Sequence, residues 1–216
     1  MSNDDLQRHV NDELLWDPKL DSAAIAVSAD DGVVTLRGTV GSFLEKREAK
    51  KDAERVYGVE SVNNELEVRI LNEDRRADAD LRGAVLQALM LDSLVPSTIS
   101  AKVDDGAVSL TGTANWQFQR DEARFVAGNV RGVITVEDEI ELVAPGPEAG
   151  DVKDSIKDAM KRNAKIDAES VSVDSENGKI TLSGTVSSWA DHDEAVAAAW
   201  AAPGVTDVKD NIVVAY

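Results

Sequence analysis

The sequence predicts an α+β protein made of three tandem αββαβ units, each with two helices packed on a small three-stranded mixed sheet. Three observations predict it. One phrase occurs three times, as "DDGVVTLRGTV" from Asp30, "DDGAVSLTGTA" from Asp104 and "ENGKITLSGTV" from Glu176. Glycines keep the same spacing in every copy: Gly32, Gly106 and Gly178, then Gly38, Gly112 and Gly184 six residues later, then Gly58, Gly132 and Gly204 twenty beyond those. An apolar stripe with a step of four residues precedes each phrase. Self-similarity at a fixed period marks a repeat architecture.

The elements follow in order. Leu6, Val10 and Leu14 recur as Leu81, Val85 and Leu89 and as Val152, Ile156 and Met160. A step of four puts each trio on one face of a helix. A short strand comes next, at Ile25 and Val27, Ile99 and Ala101, and Val171 and Val173. The Asp-Gly or Asn-Gly tip that follows is a strong hairpin signal, because glycine takes the positive φ that two-residue turns need. The second strand alternates Val34, Leu36, Gly38 and Val40, with counterparts Val108, Leu110, Gly112 and Ala114, and Ile180, Leu182, Gly184 and Val186. Its glycine falls in the buried row, so another backbone is expected close by, and a helix crossing the sheet is the expected one.

The second helix opens at "SFLE", Ser42–Glu45, a capping box. Asp121 and Glu122, and Asp191, Asp193 and Glu194, put acids early in the other two copies, where the helix dipole favours them. Ala49, Ala123 and Ala195 share one position and point to tight helix–sheet contact. Gly58, Gly132 and Gly204 fit a left-handed residue ending this helix. The closing strand carries Val62, Leu66 and Val68; Val136, Ile140 and Leu142; and Val208, Ile212 and Val214. The joints "NEDRRADA" and "APGPEAG" are the expected linkers, and they divide the chain into modules 1–72, 78–145 and 149–216.

Composition narrows the function classes. The net charge is −18, and residues 1–78, 79–145 and 146–216 carry −7, −5 and −6 of it. A field of that sign throughout repels nucleic acid and raises the local concentration of cations. No apolar run approaches the roughly 20 residues of a membrane span. The start "MSNDDLQRHVNDELL" lacks the basic and apolar regions of a secretory signal, so the expectation is cytoplasmic, or periplasmic if a leader has been removed. The absence of cysteine excludes disulfides and thiolate chemistry.

No phosphate loop, nucleophile elbow or zinc spacing is present. His9 and His192 lie in different repeats, and Asp191, His192 and Asp193 are helical neighbours that cannot all converge. His192 reads as part of a solvated helix start, and no catalytic residue is assigned. The acids of "ADDG", "VDDG" and "SENG" are oxygen donors at hairpin tips, but they read first as turn residues.

The "GxV" of Gly38–Val40 and Gly184–Val186 (with Ala114 in the second copy), the acid- and alanine-bearing second helix, and the "GV…V…L/I.V" closing strands together resemble the BON (bacterial OsmY and nodulation) domain family. The resemblance covers nearly the whole chain as three tandem BON domains. It implies a non-catalytic bacterial protein of osmotic or stress type that contacts phospholipid or hydrophobic partner surfaces. Another relative, joined to a LysM domain, is a cytoplasmic potassium-binding protein, so binding or sensing of a potassium ion is one alternative. A chaperone-like scaffold is the other. No other cofactor is expected, and a metal site is left unassigned.

The lipid or partner contact is expected at the entrance to the second helix, where Phe43, Trp116, Phe118 and Trp189 lie just after the strand glycine. Aromatic rings there suit a bilayer interface or a protein partner, and equally a hydrophobic staple. Lys46, Arg47, Lys50 and Lys51 form the one basic concentration, interleaved with Glu45, Glu48, Asp52 and Glu54. Glu–Lys pairing along a solvated helix also accounts for them. Trp16 and Trp200, at helix ends, read as packing residues.

Overall fold

The computed structural model describes residues 1–70, 75–143, 152–162 and 170–215. The boundaries at 72, 145 and 149, the joint "APGPEAG" and part of "NEDRRADA" lie outside them. The first repeat runs α1 (Asn3–Trp16), a single 3-10 turn at Ser22–Ala24, β1 (Ile25–Asp30), β2 (Val33–Val40), α2 (Phe43–Arg55) and β3 (Ser61–Val68). The second runs α3 (Asp78–Leu91), β4 (Ser100–Asp104), β5 (Ala107–Ala114), α4 (Gln117–Gly128) and β6 (Thr135–Leu142). The third runs α5 (Val152–Arg162), β7 (Val171–Glu176), β8 (Lys179–Val186), α6 (Trp189–Trp200) and β9 (Asp207–Val214). The sheets are ordered β1-β2-β3, β4-β5-β6 and β7-β8-β9. In the first and third the hairpin pair is antiparallel and the closing strand joins parallel, so these sheets are mixed.

The chain divides into two compact units, Met1–Thr113 with Arg120–Glu141, and Ala114–Gln119 with Leu142–Tyr216. In the first unit, the expected stripe Leu6, Val10 and Leu14 is buried with Val34, Leu36, Ala49, Ala53, Val59 and Leu66. Leu81, Val85, Leu89, Val108, Leu110, Ala123, Ala127 and Ile140 are likewise buried. In the second unit, Ile156, Met160, Val173, Ile180, Leu182, Ala195 and Ala199 form the core, with Trp189 and Trp200 packed on it. Ala49, Ala123 and Ala195 have no solvent exposure, so each second helix rests directly on its sheet.

The hairpin tips have positive φ at both central residues, Asp31–Gly32, Asp105–Gly106 and Asn177–Gly178, the geometry whose twist matches the flanking strands. In the first unit, the first helix pins each tip. Asn3 accepts from the Asp31 N–H at 3.2 Å, and the Asp78 carboxylate accepts from the Asp105 and Gly106 N–H groups at 2.9 and 3.1 Å.

Two glycine expectations need correcting. The strand glycines approach the backbone leading into the neighbouring strand, not a helix crossing the sheet. Gly38 pairs with Ile25 at φ +129°, and a Cβ there would lie 1.9 Å from the Ala24 carbonyl oxygen. At Gly112 and Gly184 a Cβ would lie 2.2 and 2.0 Å from the Thr98 and Ser170 oxygens. Gly58, Gly132 and Gly204 do not end the helix. Each occupies the third place of the following turn, closed by Val59 N–H to Val56 O and its counterparts Val133 to Val130 and Val205 to Ala202. A positive φ at that place suits a type II turn, which delivers the buried Val59, Val133 and Val205.

Candidate functional site

The second-helix entrances are built as helix caps. Ser42 Oγ accepts from the Glu45 N–H at 3.2 Å, while the Glu45 carboxylate accepts from the Gly41 N–H and the Ser42 hydroxyl. Ser188 and Asp191 repeat the arrangement. Trp116 occupies the serine position in the second copy, and Gln119 accepts from the Asn115 and Trp116 N–H groups. Phe118 is 53% exposed, Trp116 is half-buried, and Trp189 packs on the core of its own repeat with an edge-to-face contact to His192 at 4.8 Å. Of the four aromatics, Phe118 is the one turned to solvent.

Phe43 and Arg47 are engaged between the first two repeats. A Cβ on Gly128 would sit 2.8 Å from the Phe43 ring, so the missing side chain makes room for that ring on α4. The Arg47 guanidinium lies 4.6 Å from the centre of the Phe125 ring and donates to Asn129 Oδ1 at 3.1 Å. The rest of the basic concentration is ordinary helix surface. Lys50 pairs with Glu54, Lys51 is exposed, and the Lys46 carbonyl accepts from Asn64 Nδ2 at 2.7 Å.

Between α1 and α2 lies a buried acid at a position that reads as solvated helix in the sequence. Asp52 is 1% exposed; Arg55 pairs with its Oδ1, and its Oδ2 finds no donor among the described residues. Burial pushes its pKa up to about 6; Arg55 opposes the rise and the Asp17 carboxyl adds to it. Asp17 is itself held low by the Lys19 N–H. Asp52 is thus the partner that takes a shared proton. Glu48 is also held low: burial raises it, but the Lys19 ammonium at 2.8 Å together with Lys51 and Arg47 outweighs that.

The feature that sequence reasoning missed is at the ends of the first helices. Trp16 is 84% and Leu15 76% exposed, which overturns the packing role expected for Trp16. In the second repeat Met90 and Leu91 stand at the same two places, 78% and 74% exposed, with exposed Leu94 just beyond. The third repeat carries Lys161 and Arg162 there. Each pair directly follows the last buried residue of the stripe, Leu14, Leu89 or Met160. A position that accepts Lys-Arg in one copy is no core position, and that signal was available in the sequence.

Among the described residues, no group of three or more histidines and acids is arranged to hold a metal ion, and no helix is long and apolar enough to cross a membrane.

Together these features define a class: a tandem-module α+β protein whose side chains vary at its helix ends while its core positions repeat. The chain belongs to the BON domain family, whose profile matches residues 2–70, 77–144 and 149–216. Osmotically-inducible protein Y of Escherichia coli (strain K12) is 36% identical over 124 residues, which cover 55% of this chain and 62% of that protein. The chain therefore spans less than two thirds of that relative's length. Two solved structures of CdsD, a structural protein of the type III secretion system of Chlamydia trachomatis, align at 15% identity with a TM-score of 0.27. One covers 98% of this chain and 92% of its own; the other, a C-terminal domain, covers 100% of both. That similarity is too low to bear on function.

Proposed function

We propose that this chain is a non-catalytic binding protein of the osmotic-stress type that touches phospholipid or other apolar surfaces through the ends of its first helices. The observation that carries the reading is the exposure of Leu15 and Trp16 and of Met90 and Leu91 at matching positions. Large apolar pairs left in water at a helix end suit partial insertion at an interface, and tryptophan tolerates the boundary between apolar and wet surroundings. Phe118 is a secondary contact, since it is the exposed aromatic at a second-helix entrance. The stress association rests on the likeness to osmotically-inducible protein Y. Neither cation binding nor chaperone-like scaffolding has a specific observation in its favour among the described residues.

The net charge of −18 sets the sign of the lipid preference. Anionic vesicles repel the chain at low salt, so zwitterionic vesicles are bound better and added salt narrows the gap. Vesicle flotation tests this with wild type, a Trp16→Ser/Met90→Ser/Leu91→Ser variant and a Trp116→Ala/Phe118→Ala variant. Co-flotation lost in the first variant supports the reading. Loss confined to the second returns the contact to the second-helix entrance, and no flotation of wild type on either vesicle removes the lipid reading.

A further inference from the structure

One pair of positions ties the second helix to the closing strand in all three repeats, and it is filled in three chemically different ways. The strand member is Asn64, Asp138 or Asp210. In every copy its Oδ1 accepts from the N–H two residues on, Leu66, Ile140 or Ile212, at 3.2, 3.0 and 3.0 Å, which fixes the side chain's orientation. Its other end reaches the helix. Asn64 donates to the Lys46 carbonyl at 2.7 Å, a bond between neutral groups. Asp138 accepts from Arg120 Nε at 2.7 Å, and arginine stays charged at any physiological pH. Asp210 meets His192 Nε2 at 2.7 Å. Of the three ties, only the last changes charge near neutrality.

The surroundings of His192 demand one protonation state. Its Nδ1 faces Asp193 Oδ1 at 3.1 Å while its Nε2 faces Asp210, and ionised carboxylates only accept hydrogen bonds. Both ring nitrogens must then donate, which only the imidazolium does. The neutral ring aims one lone pair at a carboxylate oxygen. The side chain is 12% exposed, so water replaces the lost contact poorly, and the Trp189 ring stands edge-on beside it. The charged groups facing the imidazole are Asp193 on α6 and Asp210 on β9. Among the described residues, α5 and β8, which also pack on α6, add no hydrogen bond or ion pair to the ring.

We propose that His192 is a proton-operated latch between α6 and β9, making the third repeat tighter when His192 is protonated and looser when it is neutral, while the equivalent ties at Asn64 and Asp138 do not switch. The two carboxylates raise its pKa above the ordinary histidine value, the hydrogen bond to Asp193 contributing most and burial opposing. The sign follows from that direction. A raised folded-state pKa gives stability that is complete below the unfolded value of about 6.5 and lost as the pH climbs through the folded one. The beginning of α6, where Trp189 sits, loosens with it.

The test uses the full chain. Ring carbon–proton NMR signals of its two histidines are followed between about pH 5 and about pH 9. Urea unfolding at about pH 6.5 and about pH 8.5, read from β9 amide signals, is compared for wild type and His192→Arg, which installs the second repeat's solution. Expected are a His192 midpoint above the ordinary value and a several-fold rise in the third repeat's unfolding constant across that window, absent in the variant. A midpoint at or below the ordinary value overturns the proposal, as does an equal pH slope in the variant. Should the variant fail to fold, the wild-type titration alone decides.

Discussion

Replacing Asp52 by asparagine should stabilise the first unit at neutral pH. The buried carboxyl titrates at about 6, against roughly 3.9 for an aspartate in the unfolded chain. Because the folded-state value is the higher one, the fold favours the protonated form. Its stabilising contribution is complete below about pH 4 and is lost as the pH rises through about 6. A separation of roughly two pH units, at about 1.4 kcal/mol each, makes ionised Asp52 cost about 3 kcal/mol at pH 7.5. Asparagine keeps the shape, offers its oxygen to Arg55 and its amide to Asp17, and carries no charge. Urea titrations at about pH 4 and about pH 7.5 should show wild type and Asp52→Asn nearly equal in acid, with the variant ahead by 1–3 kcal/mol at the higher pH. Equal stability at pH 7.5, or an unchanged slope between the two, would refute the burial argument. The other repeats carry Val126 and Ala198 at this place, so nothing in the fold requires an acid there.

Two further predictions concern packing. Gly112→Val should destabilise its repeat by on the order of 3 kcal/mol or more, since φ is +121° and a Cβ would meet the Thr98 oxygen. Gly83→Ala, within α3 and with nothing inside 4 Å of the new carbon, should instead raise the melting temperature slightly, by about 0.5–1 kcal/mol of stability. Melting curves that rank the two variants the other way would undo the close-approach explanation. A double-mutant cycle of Arg47→Met with Phe125→Leu should give a coupling energy of about 1 kcal/mol for the contact between the first two repeats. Additivity within about 0.3 kcal/mol would mean that the guanidinium and the ring do not cooperate.

Much of the fold was legible because it depends on local rules. Positive φ at Gly32 follows from "DDG", the cap at Ser42 from "SFLE", and the buried row of each first helix from a step of four. What escaped depends on which neighbour arrives. The need for glycine at position 38 was visible, but its cause is the Ala24 carbonyl in the turn that leads into the adjoining strand, and period alone does not tell that from a helix overhead. Phe43 and Arg47 look like free surface until another repeat supplies Gly128 and Phe125. His192 looked solvated because "ADHDEA" shows its helical neighbours and hides Asp210, which comes from β9. Trp16 failed for a different reason. Its residue type suggests a core, but α1 outruns its own core by two residues, and type alone does not mark where packing stops.

That overrun has a consequence for how such chains diversify. The two residues after Leu14, Leu89 or Met160 are the last of a rigid helix, but the core beneath asks nothing of them. They behave as an addressable label on each module: Leu-Trp, Met-Leu and Lys-Arg occupy it within one polypeptide. Duplication of a module followed by two substitutions rewrites the label without reopening the fold. An engineer has the same freedom, and can move a Leu-Trp pair onto residues 161 and 162 or a Lys-Arg pair onto residues 15 and 16 while leaving every buried side chain in place.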